Sequence, residues 1–181
     1  MAKLCKRKGP IKEPEAKYYI KTIAKTLKYC HDQGVSHRDL KAENILVGKD
    51  GRLKLIDFAF AFKGDKDTKV DTFCGTPSYM APEIFKKAPH CPRKADIWAL
   101  GILAYRLVIG ELPFIGIYFL TLAPSKNDKV ERLILDEDYP TEILKGCSKA
   151  FQEFIQDCLE KNPERRSSLS ELLTEGWLAE K

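Results

Sequence analysis

Between residues 96 and 109 nearly every side chain is apolar, and only Asp96 at the start and Arg106 near the end carry charge. A helix apolar on almost all faces has no solvent side, so the rest of the chain must wrap around it. Its unbroken stretch, residues 97–105, is about half the ~18 residues of a membrane span. The segment therefore predicts the central buried helix of a globular domain.

The chain's 181 residues correspond to about one domain at roughly 150 residues each. Hydrophobic residues at 44% and charged residues at 31% fit a packed core and exclude wholesale disorder or a membrane-embedded body. The net charge of +5 is spread along the chain. That is a mild attraction for acidic or phosphorylated partners and too little for a dedicated nucleic-acid binder. Neither nucleic acid nor membrane is expected as a partner. Cys5, Cys30, Cys74, Cys91, Cys147 and Cys158 form no CxxC pair and no zinc spacing with the histidines, which reads as free thiols in a reducing compartment. The basic start is followed by no apolar leader segment. A cytoplasmic location is expected, with the nucleus as the alternative.

Ahead of the apolar helix, Ala16, Ile20, Ile23, Leu27 and Cys30 step by three and four, predicting an amphipathic helix over 15–33 with Pro14 in its first turn and Gly34 as its stop. Residues 45–47 and 53–56 flank Lys49-Asp50-Gly51 and predict a small hairpin. Residues 57–94 read as one long irregular segment, a length usually reserved for function. Helices are expected again over 130–135, 148–160 and 168–178, with Asn162-Pro163 breaking the chain between the last two. Residues 115–122 are apolar enough for a docking surface, with an ordinary core element as the favoured reading.

The chemistry concentrates around the hairpin. His37-Arg38-Asp39-Leu40-Lys41-Ala42-Glu43-Asn44 precedes it and Asp57-Phe58-Ala59 follows it. A hairpin brings its two ends together, so Asp39, Asn44 and Asp57 should converge at one mouth. Hard oxygen donors such as Asn44 and Asp57 suit Mg²⁺, which binds through one or two protein ligands plus substrate phosphates. Asp39 is then free to orient a hydroxyl and accept its proton. Taken singly, Asp39 is an ordinary loop aspartate and Asn44 an ordinary turn former; the joint spacing is what carries weight.

These segments resemble the HRD…N and DFG signatures of protein kinases. Ala81-Pro82-Glu83, Gly75-Thr76-Pro77-Ser78-Tyr79, Asp96-Ile97-Trp98-Ala99-Leu100-Gly101 and Asn162-Pro163-Glu164-Arg165-Arg166 follow in the family's order. The resemblance implies a mainly α fold: the large C-terminal lobe of a kinase over residues 1–181, with a small β-hairpin at the catalytic loop. It implies ATP and Mg²⁺ as cofactors and a protein or peptide as substrate. By it, Asp39 is the catalytic base, with Lys41 and Thr76 as helpers of the serine/threonine type. Asn44 and Asp57 hold the metal, Leu46 lies under the adenine, and Lys41 and Glu43 join the cofactor-contacting group. Glu43 has a second reading, selection of a basic residue in the peptide, and an ordinary one as a solvated surface acid. Arg38 implies control by phosphorylation of Thr72 through an upstream kinase. His37, packing under Phe58, the Glu83–Arg166 ion pair and Asp96 are implied to be structural.

The sequence departs from the family's pattern in two ways. Only 38 residues precede Asp39 and no GxG occurs, so the sheet-rich ATP lobe with its glycine loop is expected to be absent. Ile23-Ala24-Lys25 falls within a predicted helix, so Lys25 reads as a surface lysine and not the ATP lysine. Ala59 stands where the family has glycine, and its side chain opposes positive φ by roughly 1–2 kcal/mol. The principal expectation is a serine/threonine kinase; the alternative is a kinase-like binding or scaffold module without turnover.

Overall fold

The computed structural model describes residues 1–114 and 126–179. The fold is mainly helical, with two small two-stranded sheets. Helices α1 (Ala2–Lys8) and α2 (Glu13–Asp32) open the chain. Strands β1 (Val35–Ser36), β2 (Ile45–Val47), β3 (Leu53–Leu55) and β4 (Phe62–Lys63) follow, then α3 (Pro82–Phe85), α4 (Pro92–Ile109), α5 (Lys126–Asp136), α6 (Lys149–Cys158) and α7 (Leu169–Thr174).

Helix α4 is the centre. Trp98, Leu100, Ile102, Leu103, Ala104 and Tyr105 are all essentially inaccessible, as expected for a helix without a polar face. It begins at Pro92, four residues before the start read from the apolar run. Pro92 supplies a pre-set φ in the first turn, where its missing N–H is not needed. Gly110 ends the helix at φ 91°, in the left-handed region that glycine enters without a Cβ penalty. Helices α2 and α6 pack on α4. Ala16, Ile20, Ile23, Ala24, Leu27 and His31 form the buried stripe of α2. Lys25 is on its exposed side.

The hairpin forms as the sequence predicts, with Ile45 opposite Leu55, Leu46 opposite Lys54 and Val47 opposite Leu53. A second ribbon pairs β1 with β4, Val35 opposite Lys63 and Ser36 opposite Phe62. It makes the two ends of segment 35–63 neighbours. Gly34, at φ 76°, is needed there because a Cβ would lie 3.1 Å from the Gly64 carbonyl oxygen. The segment 57–94 is not uniformly irregular. It contains β4, a 3-10 turn over Pro77–Tyr79, α3 and the first turn of α4. Short elements of two to four residues carry too little periodicity to be read from sequence. The predicted helix over 168–178 is α7 followed by a 3-10 turn, Gly176–Leu178. Another 3-10 turn, Thr141–Gly146, was not anticipated. Residues 115–122, read as an apolar segment, lie outside the described residues. Among the described residues no helix is long and apolar enough to cross a membrane. All six cysteines are free thiols.

Candidate active site

The loop between β1 and β2 is held from below by Asp96 in the first half of α4. Its carboxylate, fully buried, accepts the backbone N–H of His37 at Oδ2 and of Arg38 at Oδ1, each at 2.8 Å. His31 at the end of α2 meets the same Oδ2 at 2.8 Å. Three donors on one carboxylate compensate its desolvation. The arrangement permits Arg38 to occupy φ 67°, a left-handed conformation uncommon for a residue with a long side chain. His37 is fully buried, its ring 4.8 Å from that of Phe58. Its Nδ1 accepts the Asp39 N–H at 3.2 Å while Nε2 lies 3.1 Å from the Ile56 carbonyl, so the Nε2–H tautomer satisfies both contacts.

Asp39, 5% exposed, lies above this platform. Thr76 Oγ1 donates to its Oδ1 at 2.7 Å, Lys41 Nζ donates to its Oδ2 at 2.7 Å, and Lys41 Nζ also donates to Thr76 Oγ1 at 2.8 Å. The three side chains close a triangle that ties together segments 37 residues apart in sequence. Asn44 Nδ2 donates to the Asp39 carbonyl at 2.9 Å and to its Oδ2 at 3.1 Å. Gly75 makes the approach of Thr76 possible. Its φ is 112°, and a Cβ would lie 2.8 Å from the Arg38 carbonyl oxygen.

Asp57 comes to the same end of the hairpin because the Ile56 N–H donates to the Asn44 carbonyl at 2.9 Å. The positive φ at this turn, 66°, falls on Asp57 and not on Ala59. Ala59 donates its N–H to Asp57 Oδ1 at 3.4 Å, a long contact that leaves the exposed carboxylate available. With both amide hydrogens of Asn44 committed to Asp39, Oδ1 is the remaining polar atom of that side chain. One carboxylate and one amide oxygen are the donor chemistry that fits Mg²⁺ when phosphate oxygens and water complete its shell. Among the described residues no group of three or more His, Cys, Asp or Glu side chains is placed to hold a metal by itself.

The surrounding residues are placed as follows. Leu46 is 49% exposed on β2. Arg38 Nη2 donates to the Thr72 carbonyl at 3.1 Å, which puts a guanidinium beside that threonine. Arg166, with no exposed side-chain surface, makes two bonds to Glu83, 2.7 Å to Oε1 and 3.0 Å to Oε2, and lies 5.2 Å above the Trp98 ring. Sequence reasoning missed His31 as a partner of Asp96, and it missed Arg106. The Arg106 guanidinium donates to the Tyr79 hydroxyl at 2.7 Å and to Glu43 at 3.4 Å. Burial works against its charge, but Tyr79 and Glu43 more than offset this and push its pKa up. The one charge within the apolar run 97–109 was the available signal; its partners, 27 and 63 residues away, were not readable.

A family profile described as the protein kinase domain matches residues 1–178. Sperm motility kinase 3A of Mus musculus is 33% identical over 175 residues, covering 97% of this chain and 33% of that protein. Sperm motility kinase 1 of Mus musculus is 34% identical over 170 residues, 94% of this chain and 33% of that protein. The chain thus spans about a third of the length of these curated relatives.

Proposed function

This chain belongs to the protein kinase family, and from that premise we propose that it serves phosphoryl transfer from ATP to serine or threonine hydroxyls of a protein substrate. The observation that carries the reading is the closed Asp39–Lys41–Thr76 triangle with Asn44 and Asp57 at the same end of the hairpin. The threonine in that triangle, with Lys41 two residues after Asp39, favours the serine/threonine class.

Magnesium-bound ATP supplies the phosphoryl group and neutralises the charge on its oxygens. Asn44 and Asp57 would hold the cation. Lys41, pinned between Asp39 and Thr76, places a fixed positive charge where the transferred group must pass. Leu46 offers the exposed apolar surface for a base, with Glu43 on the 3-10 turn that leads into its strand. Asp39 orients the acceptor hydroxyl and takes its proton at a carboxylate oxygen. Buried hydrogen bonds from Thr76, Lys41 and Asn44 hold that carboxylate in one orientation, and such pre-positioning is the main protein contribution to this reaction. The guanidinium of Arg38 beside Thr72 suits a phosphate added there by an upstream kinase, which would tighten the segment from Asp57 to Glu83.

The test is incorporation of labelled phosphate into a serine or threonine peptide by the full-length protein with Mg²⁺ and ATP. Asp39→Asn should lower the rate by about 10²–10⁴-fold, the usual worth of a positioned acid or base. An unchanged rate in a folded variant rejects the assignment and leaves a binding module as the function.

A further inference from the structure

Helices α6 and α7 leave a groove of about 310 Å³ between them, at the small end of the roughly 300–1,000 Å³ that ligand sites occupy. Its wall is apolar. Phe154 comes from α6 and Leu172 from α7, while Trp177 is supplied by the 3-10 turn Gly176–Leu178, its ring 5.0 Å from that of Phe154.

The rim of the groove has one sign. Glu153 and Asp157 stand on α6, Glu171 on α7 and Glu175 just beyond it, all four exposed. No lysine, arginine or histidine lines the groove among the described residues. Glu171 is partly committed, capping α7 by accepting the Ser168 N–H at 2.6 Å, and Glu153 has Lys149 3.5 Å away on an open surface. The side chains of Asp157 and Glu175 make no hydrogen bond or ion pair among the described residues. Burial, then the like charges of Glu153, Glu171 and Glu175, raise the Asp157 carboxyl above its ordinary pKa, so the two helices repel each other's acids at this cleft. A chain of net charge +5 thus gathers four carboxylates around an apolar groove whose lining holds no cation.

The spacing of these acids selects the occupant. Among the described residues no three carboxylates are close enough to share one metal ion. The complement is a cation with apolar length, a side chain whose methylenes lie along Phe154, Leu172 and Trp177 while its charged head reaches the rim. Arginine suits this better than lysine, because its planar guanidinium both stacks on aromatic rings and forks to carboxylates. We propose that the groove between α6 and α7 is a docking site for an arginine-bearing basic segment of a partner protein. None of its lining residues belongs to the site around Asp39, so the proposal goes beyond the kinase reading and does not depend on it.

A fluorescein-labelled peptide with two arginines between leucines, titrated with the chain in the absence of nucleotide, provides the test. The amide of Gly176 and the indole of Trp177, followed by nitrogen-15 NMR, report where it binds. The arginine peptide should move those two signals and lose affinity as salt is added. Citrulline in place of arginine keeps the shape without the charge and should weaken binding about fivefold. Asp157→Asn combined with Glu175→Gln should weaken it by a similar factor, about that of two exposed ion pairs. Neither side chain has a bond to lose, so the double variant keeps its fold. Asp136→Asn, an exposed acid outside the groove, should bind the peptide as the unaltered chain does. No measurable binding, equal affinity for the citrulline peptide, undiminished affinity in the double variant, an equal loss in Asp136→Asn, or signals that move elsewhere overturns the proposal. So does either of two other occupants. The same shifts from Ca²⁺ alone would make the rim a metal site, and a dimer in sedimentation that the double variant disperses would put a second copy in the groove.

Discussion

Asp96 Oδ1 accepts the Arg38 N–H at 2.8 Å across 58 residues of chain, with Arg38 at φ 67°. The helix that forms the core thus fixes the backbone from which Asp39 projects. Asp96→Asn keeps the shape of the side chain but turns one oxygen into a donor. That donor must face His37 N–H, Arg38 N–H or His31, so at least one buried donor loses its partner. The expected loss of stability is about 2–4 kcal/mol, as for buried hydrogen bonds to a charged group. Urea unfolding of the two forms measures it, and coincident midpoints would show that the left-handed turn needs no anchor.

Arg166 and Glu83 form the most buried ion pair among the described residues. Removing one member strands a charge in the interior, whereas removing both leaves only a volume to refill. Arg166→Met or Glu83→Gln alone should each cost about 3–5 kcal/mol. The double variant should cost clearly less than their sum, because the two side chains share one interaction. A double-mutant cycle in denaturant gives the coupling, and additive losses would show that Arg166 acts through its Trp98, Glu160 and Lys94 contacts instead.

Gly75→Ala tests the seam between the loops that carry Asp39 and Thr76. The new methyl would press on the Arg38 carbonyl oxygen at 2.8 Å, in a backbone conformation unfavourable to any Cβ. About 1–3 kcal/mol of strain is expected, relieved by moving Thr76 away from Asp39. A displacement near 1 Å at reacting groups can slow a reaction on the order of 10²-fold. The rate of phosphate transfer should therefore fall far more than the unfolding midpoint. Equal transfer rates for the two forms would mean that Thr76 need not stay on Asp39.

The parts of this architecture that were legible in sequence are those with a repeating apolar signal. Helix α2 shows its buried stripe at Ala16, Ile20, Ile23 and Leu27, and the hairpin shows its turn at Lys49-Asp50-Gly51. Helix α1, with the sequence Ala-Lys-Leu-Cys-Lys-Arg-Lys, shows no such stripe. Two backbone contacts fasten its surroundings, Met1 amino to the Ile45 carbonyl and Ile11 N–H to the Leu107 carbonyl. The site divides the same way. The residues near Asp39 were readable from their spacing in one short segment. His31 on Asp96 and Arg106 on Tyr79 and Glu43 depend on how α2 and α4 pack, which no local pattern encodes.

Tyr105 gives the core a weakness at high pH. It is 1% exposed on the central helix. Burial, reinforced by the negative charge of Glu111, pushes its phenol pKa from the ordinary 10 up to about 12. Between those values the unfolded chain releases the proton while the folded chain holds it. The contribution of Tyr105 to stability is thus complete below pH ~10 and is withdrawn as pH climbs towards the folded value. Tyr105→Phe removes the titrating group at nearly constant volume, so its alkaline unfolding midpoint should move to higher pH. In the unaltered chain, ultraviolet titration should show Tyr105 ionising late, with burial also raising Tyr19, Tyr79 and Tyr139, and its ionisation coinciding with unfolding. If the Phe variant unfolds at the same alkaline pH, another group limits the fold there and the buried phenol is not its weak point.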